Sequence, residues 1–158
     1  MDLEQFYMEN YRIVYGYLLS LCGSPAWAED LTSETFLKAI RRIDSYDGTM
    51  KASTWLCTIG RNLYLNEVKK RSRHVPLEGI PAMEGDSMED TYMKREQAEQ
   101  VHRLIQELEE PKNRVVIMRQ QGLSFRDIGD ALGKSENWAR VTFYRAKEKI
   151  LERLEGLE

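Results

Sequence analysis

The sequence predicts an all-α protein of two small helical domains joined by a flexible acidic linker. Apolar side chains recur at three- and four-residue intervals through most of the chain, the spacing of one helix face. The stretch VPLEGIPAMEGDSMEDTY, residues 75–92, instead combines two Pro, two Gly and several acids with no helical stripe. We therefore place the first domain at residues 1–74, the linker at 75–92 and the second domain at 93–158.

Composition fits one or two small soluble domains. The chain has 158 residues, 42% hydrophobic and 31% charged. No apolar run approaches the roughly 20 residues that span a bilayer, and the acidic start MDLEQFYMEN is unlike a secretion signal. Cys22 and Cys57 stand alone, which predicts buried free thiols ahead of a disulfide or redox sensor. His74 and His102 are likewise isolated, so they indicate neither a metal site nor a catalytic dyad. We expect a cytoplasmic protein with no metal, no cofactor and no catalytic group.

Charge divides the chain into alternating blocks. Residues 38–74 hold nine basic and three acidic side chains, and residues 112–158 hold ten and seven. The intervening block, residues 75–111, holds three basic and ten acidic side chains, and residues 1–37 hold one and six. The net charge of −3 therefore conceals two basic blocks that could meet phosphates.

The first domain is predicted to contain three or four packed helices and no strand. Residues 3–22 form one amphipathic helix, and Gly23-Ser24-Pro25 ends it. A second helix spans residues 26–43, and a turn follows at residues 44–48. A third begins near Ser53 or Thr54 and ends in a cluster of cations: Lys69, Lys70, Arg71 and Arg73.

The second domain is predicted to end in a helix-turn-helix. Helices at residues 93–109 and 113–121 lead into it. Ser124 and Ser135 are suitable N-caps, and Gly133 suits the left-handed position after a helix. The last helix has a packing side and an opposite side with donors, cations and one aliphatic group: Asn137, Arg140, Val141, Tyr144 and Arg145. Such a side suits the DNA major groove, although a helical hairpin with an ordinary solvated basic face would look the same.

Three motifs resemble those of bacterial sigma factors. The combination of Gly122, Ser124, Ile128, Leu132-Gly133, Ser135 and Arg145-Ala146 resembles their promoter-reading helix-turn-helix. AEDLTSETFLKAIRRI resembles the helix that grips the clamp of core RNA polymerase, and TWLCTIGRNLYLNEVKKRSR resembles the helix that reads and opens the minus-ten element. The lack of the further parts of larger sigma factors indicates the small extracytoplasmic-function group.

The resemblance implies a subunit, not an enzyme, that directs core RNA polymerase to chosen promoters and has no small-molecule substrate. The minus-thirty-five duplex would contact Asn137, Arg140, Val141, Tyr144 and Arg145. The melted minus-ten strand would contact Tyr46 and Asn62 through its bases, and Lys69, Lys70, Arg71 and Arg73 through its phosphates. The clamp of the beta-prime subunit would contact Asp30, Leu31, Glu34, Phe36 and Leu37. An anti-sigma factor, often anchored in the membrane, would mask these surfaces.

Simpler roles remain open for several of these residues. Phe36 and Trp55 are large enough to be core residues, Asn62 could be an ordinary solvated position, and Tyr46 could cover the edge of the core. A different class of function is also open: a stand-alone helix-turn-helix regulator whose N-terminal helices dimerise or sense a ligand. A regulator would bind a palindrome as a dimer, whereas a sigma factor would bind an asymmetric two-part site as one copy. A structural adaptor would leave both basic blocks unexplained.

Overall fold

The computed structural model describes residues 2–74 and 92–156, with side chains described for residues 2–72 and 96–156. These residues form seven α-helices, and no strand occurs among them, which confirms the all-helical class. The predicted linker lies outside the described residues except for Tyr92. The helices are α1 (Leu3–Cys22), α2 (Pro25–Arg41), α3 (Ala52–His74), α4 (Tyr92–Glu107), α5 (Lys112–Gln120), α6 (Phe125–Leu132) and α7 (Glu136–Gly156).

Local signals set the ends of the first two helices. Asp2 caps α1 by accepting hydrogen bonds from the backbone N–H groups of Glu4 and Gln5 at 3.1 and 3.3 Å. Gly23 ends α1 in the left-handed conformation, with φ of +70°. Helix α2 begins at Pro25, directly after its N-cap Ser24 and close to its predicted start at residue 26. It ends at Arg41, before its predicted end at residue 43, and a 3-10 turn follows at Ile43–Ser45.

Helices α1, α2 and α3 pack against one another as an N-terminal module. Its fully buried side chains include Val14 and Leu18 from α1 and Leu56 from α3. Gly60 lets α3 approach α2 and α1 closely, since a Cβ there would lie 3.0 Å from Thr35 Oγ1 and 3.1 Å from Leu18 Cδ2. The buried Thr35 hydroxyl is satisfied because it donates to the Leu31 carbonyl at 2.6 Å.

Helices α4 to α7 form a C-terminal module, and α6 and α7 are the two helices of the predicted helix-turn-helix. Ser124 caps α6 by accepting from Asp127 N–H at 3.0 Å, and Ser135 accepts from Trp138 N–H at 3.0 Å at the start of α7. Gly133 has φ of +70°. Gly129 is a further requirement that the sequence analysis missed: a Cβ there would lie 2.7 Å from the Ser135 carbonyl oxygen.

The two modules share one continuous hydrophobic core. Met118 and Leu123 of the C-terminal module are buried in the same cluster as Val14 and Leu56 of the N-terminal module. A Cβ on Gly16 would lie only 2.8 Å from Leu123 Cδ1, so α1 and the segment before α6 meet closely. The sequence analysis predicted two domains joined by a linker and made no prediction of how the domains are placed relative to each other. Helical periodicity marks which residues are buried but not which distant helix covers them, so this contact was missed.

Candidate nucleic-acid interface

The outer face of α7 presents the five residues predicted to contact duplex DNA. Asn137, Arg140, Val141, Tyr144 and Arg145 are all exposed. Their spacing places them on one side of the helix, while Ala139 and Ala146 on the opposite side are fully buried. Tyr144 is 52% exposed and Val141 is 38% exposed, so two large apolar groups lie open between cations. This face therefore offers the hydrogen-bond donors, positive charge and apolar contacts that reading of a major groove requires.

The half-buried ring of Phe125, the first residue of α6, supports this face from beneath. Its centroid lies 6.2 Å from that of Tyr144, and the Arg140 guanidinium lies 5.4 Å from the Phe125 ring. Arg119 lies 4.2 Å from the same ring and donates a hydrogen bond to the Leu123 carbonyl at 2.8 Å. Sequence analysis identified neither Phe125 nor Arg119 as a support of this face, because their contacts cross between helices.

Arg140 has an acidic partner within α7. Its guanidinium donates to Glu136 Oε1 at 3.2 Å across one helical turn. Both side chains are about half exposed, so the ion pair is weak and exchangeable. DNA phosphate or a base edge would compete with Glu136 for Arg140.

Helix α3 carries a second polar face. Asn62 is exposed, and Lys69 lies two turns further along, about 20° away around the helix axis. Arg73 falls on the same side of the helix, although its side chain lies outside the described residues, and exposed Lys70 is at the border of this face. Asn62, Lys69 and Lys70 therefore lie along one polar side of α3.

Arg71 lies on the other side of α3. Its guanidinium is 4.0 Å from the ring of Trp27 in α2, and its Nε is 3.5 Å from Glu67. A cation packed on an aromatic ring inside its own module stabilises the α2–α3 contact. This position differs from the sequence expectation, which grouped Arg71 with three phosphate-binding neighbours without distinguishing the faces of the helix.

Tyr46 is half-buried in the loop between α2 and α3. Its ring stacks on Trp55, with centroids 4.8 Å apart and planes 29° apart, and its hydroxyl donates to the Met50 carbonyl at 2.7 Å. Asp47 braces the same loop by accepting from Thr49 N–H and hydroxyl, at 2.9 and 2.7 Å, and these bonds lower the pKa of Asp47. In this arrangement Tyr46 covers Trp55, one of the two roles considered from sequence.

The five residues predicted to bind the polymerase clamp divide between surface and core. Asp30, Glu34 and Leu37 are exposed, and Leu37 is 58% exposed beside a shallow groove that Lys38 and Leu63 also line. Leu31 and Phe36 are only 3% and 4% exposed. Both side chains belong to the hydrophobic core, and Phe36 packs against Phe6 and Tyr7 of α1. They therefore hold the helix whose other side is available for contact.

The part of the chain that the structure describes contains few features of other site chemistry. Cys22 and Cys57 are free and buried, as predicted, and burial raises the pKa of both thiols. Across residues 2–72 and 96–156, no three His, Cys, Asp or Glu side chains are grouped to hold a metal ion. None of the described helices is both long and apolar enough to cross a membrane.

A cleft separates the α3 face from the turn of the helix-turn-helix. Thr58 and Asn62 line one side, and Gly133, Lys134 and Trp138 line the other. The predicted nucleic-acid face of α3 therefore lies opposite part of the C-terminal module, and that module carries the predicted nucleic-acid face of α7.

Comparison with known proteins identifies the family. Residues 6–74 match the family model for sigma-70 region 2, and residues 98–150 match that for sigma-70 region 4. The RNA polymerase sigma factor YlaC of Bacillus subtilis is 26% identical over 155 residues, covering 94% of this chain and 90% of YlaC. The ECF RNA polymerase sigma factor SigW of the same organism is 26% identical over 169 residues, covering 99% and 89%. The chain belongs to the extracytoplasmic-function group of the sigma-70 family.

A solved sigma factor shares the fold. The structure of RpoE in complex with the anti-sigma factor NepR from Bartonella quintana matches with a TM-score of 0.60 at 23% identity, covering 98% of this chain and 97% of RpoE. In the present chain, the region 2 match covers α1 from Phe6 onward, α2 and α3, and the region 4 match covers α7 as far as Ile150.

Proposed function

We propose that this sigma factor binds core RNA polymerase as a single copy and directs it to asymmetric two-part promoters in the cytoplasm. The observation that supports this most directly is the exposed α7 face in a chain that matches both sigma regions. We assign core binding and minus-ten recognition to residues 1–74, a linker to residues 75–92, and minus-thirty-five recognition to residues 93–158.

In region 4, α7 would enter the major groove of the minus-thirty-five element. Asn137 can pair with an adenine edge, Val141 can contact a thymine methyl group, and Arg140 and Arg145 can reach guanine or phosphate. Tyr144 adds a large exposed ring beside them. Since only five side chains occupy this face, binding by the free protein should be weak and salt-sensitive, near the non-specific range of roughly 10⁻⁴–10⁻⁶ M.

In region 2, the α3 face would hold the melted minus-ten strand. Asn62 would contact an unpaired base, and Lys69, Lys70 and Arg73 would attract its phosphates. Tyr46 would leave Trp55 to stack on a second base. Each captured base would stabilise the open strand against reannealing.

The exposed side of α2 would dock on the beta-prime clamp. Asp30, Glu34 and Leu37 supply acids around an apolar group, and the adjacent groove adds Lys38 and Leu63. Docking would bring both promoter contacts to a high effective concentration, and weak individual contacts would then give a specific complex. We also propose an anti-sigma partner for this chain, because the similarly folded RpoE was solved bound to one.

The test is transcription from an asymmetric promoter by core polymerase with and without the protein. We expect a discrete transcript only with both components, and co-purification of the protein with core polymerase. Leu37→Glu should abolish both results while circular dichroism remains unchanged. A tight complex between the purified protein alone and a palindromic duplex, at two copies per duplex, would contradict this proposal and favour the regulator.

A further inference from the structure

The cleft between α3 and the helix-turn-helix is lined by positive charge. Arg61, Arg114 and Lys134 line it, and no Asp or Glu is among its described lining residues, although the chain as a whole has a net charge of −3. Its volume is about 380 Å³, within the range of roughly 300–1,000 Å³ that is typical of small-molecule sites. Arg61 and Lys134 form no ion pair with a described residue, whereas Arg114 donates to Glu110 Oε1 at 2.8 Å. The cleft therefore favours an anionic ligand.

The inner end of the cleft carries a polar group without a partner. Tyr17 of α1 is only 4% exposed and lines the cleft, and its hydroxyl forms no hydrogen bond with a described residue. Every fully buried side-chain N or O atom in the described part of the chain has a hydrogen-bond partner, so this hydroxyl is open to the cleft. Burial raises the pKa of Tyr17, while the charges of Arg114 and Arg61 act in the opposite direction. The phenol is therefore protonated at neutral pH and can donate a hydrogen bond to an anion.

The depth of these groups indicates which part of a ligand they would hold. The Arg114 side chain is 16% exposed, and Tyr17 is exposed even less. A terminal phosphate group can reach both positions, whereas a nucleic-acid strand would have to continue past them in two directions. Phosphate oxygens accept charge-assisted hydrogen bonds from guanidinium groups, and the competing Glu110 carboxylate is 64% exposed and can turn to solvent. These inner groups therefore suit a terminal phosphate.

The side of the cleft formed by the helix-turn-helix supplies a surface for a flat ring. Trp138 of α7 is half-buried in the cleft lining, and Lys134 Nζ lies 5.7 Å from the centroid of its ring. A nucleobase can stack on such a ring. Across the cleft, the exposed amide of Asn62 offers both a donor and an acceptor to the edge of a base. The cleft therefore combines groups that bind phosphate with groups that bind a base.

We propose that this cleft is a binding site for a free nucleotide, a nucleoside with a terminal phosphate group. Tyr17, Arg61 and Arg114 hold the phosphate, and Trp138 stacks on the base. Because both modules contribute side chains, a bound nucleotide should raise the midpoint of thermal unfolding. This inference goes beyond promoter recognition. Binding to the purified protein tests it without polymerase or DNA, so its failure would leave the proposed function intact.

The fluorescence of Trp138 reports on the cleft. The chain has three tryptophans, so Trp138 is the only one left in Trp27→Phe/Trp55→Phe. ADP should change this fluorescence in a saturable manner. Adenosine alone and inorganic phosphate alone should each bind about tenfold more weakly or worse, since one stacking contact or one charged hydrogen bond is worth about a factor of ten. If ADP binds no more tightly than inorganic phosphate, the cleft is only a basic patch and the proposal is overturned.

Single variants in the same background locate the bound nucleotide. Tyr17→Phe keeps the ring and removes the hydroxyl, and it should weaken ADP binding by about tenfold, the effect of one hydrogen bond to a charged group. Arg61→Gln should weaken it by a similar factor. Tyr15→Phe on α1 and Arg103→Gln on α4 are matched controls outside the cleft and should not change the affinity. Circular dichroism checks that each variant is folded.

Two results would contradict the assignment. The first is equal affinity for ADP in folded Tyr17→Phe and Tyr15→Phe, which would place the nucleotide elsewhere. The second is an oligodeoxythymidine that binds as tightly as ADP and loses the same factor in Tyr17→Phe, because the cleft would then hold a strand instead of a free nucleotide.

Discussion

Single side chains on α2 illustrate how exposure separates structural from contact roles. Phe36 is buried with its ring 4.8 Å from that of Tyr7 and 6.4 Å from that of Phe6, while adjacent Leu37 points to solvent. Phe36→Ala should lower the free energy of unfolding by about 3–5 kcal/mol, since it leaves a cavity. Leu37→Ala should change it by no more than about 0.5 kcal/mol but weaken binding to core polymerase. Urea unfolding and a core-binding titration measure the two effects; equal destabilisation by both variants would contradict this division.

The α7 arginines give a second prediction at this scale. Arg140→Ala and Arg145→Ala should each weaken binding to a minus-thirty-five duplex by about 1–3 kcal/mol if the contact is to a base, and less if it is to phosphate. Loss of a phosphate contact also reduces the salt slope by about one unit. Anisotropy titrations at several salt concentrations distinguish these cases, with Arg103→Ala as a control on α4. If neither variant differs from the control, α7 does not read the duplex.

At the scale of helices, the turn between α6 and α7 depends on two glycines for different reasons. Gly129 lies against the carbonyls of Lys134 and Ser135, whereas Gly133 has open space but a positive φ. Gly129→Ala should cost about 1–3 kcal/mol through overpacking, and it should reduce duplex binding by shifting α7. Gly133→Ala should cost about 1–2 kcal/mol through backbone strain alone. Thermal unfolding with Gly156→Ala as the matched control measures both; a neutral Gly129→Ala would show that the turn adapts.

Helix ends were predictable because their signals are local. The bounds of α1, the caps Ser124 and Ser135, and Gly133 are confirmed, and each depends on residues within one turn of the helix end. Gly129 was missed because the group that excludes a Cβ comes from the next helix. The exposed side of α7 was predicted correctly as a helix face. The support that Phe125 and Arg119 give to this face was not predicted, because these residues belong to α6 and α5.

For the whole molecule, the shared core predicts one cooperative unfolding transition. Trp138 belongs to the C-terminal module, and Trp27 and Trp55 belong to the N-terminal module. In Trp27→Phe/Trp55→Phe, fluorescence of Trp138 should give the same midpoint, within about 2 °C, as far-ultraviolet circular dichroism of all helices. A variant with Gly16→Gln should separate the transitions, because the added side chain meets Leu123. Two midpoints in the first variant would mean that the modules unfold independently.

The contact between the two modules was the feature least predictable from the sequence. Met118 and Leu123 are apolar residues whose partners lie about one hundred positions earlier in the chain. Their spacing indicates burial without naming the covering surface. The same limit applies to Asn62: its exposure on α3 follows from helical periodicity, but its position across a cleft from Lys134 depends on how the modules meet.

Under the proposed function, the stacking of Tyr46 on Trp55 would make base capture an exchange of partners instead of a simple gain. A ring that already stacks must give up a contact worth about 0.5–1.5 kcal/mol to obtain one worth about 1–3 kcal/mol. The net gain in stacking free energy is therefore small, and it varies with how well each base stacks. With a weakly stacking base, Tyr46 would stay stacked on Trp55. Promoter bases would therefore compete with Trp55 for the Tyr46 ring.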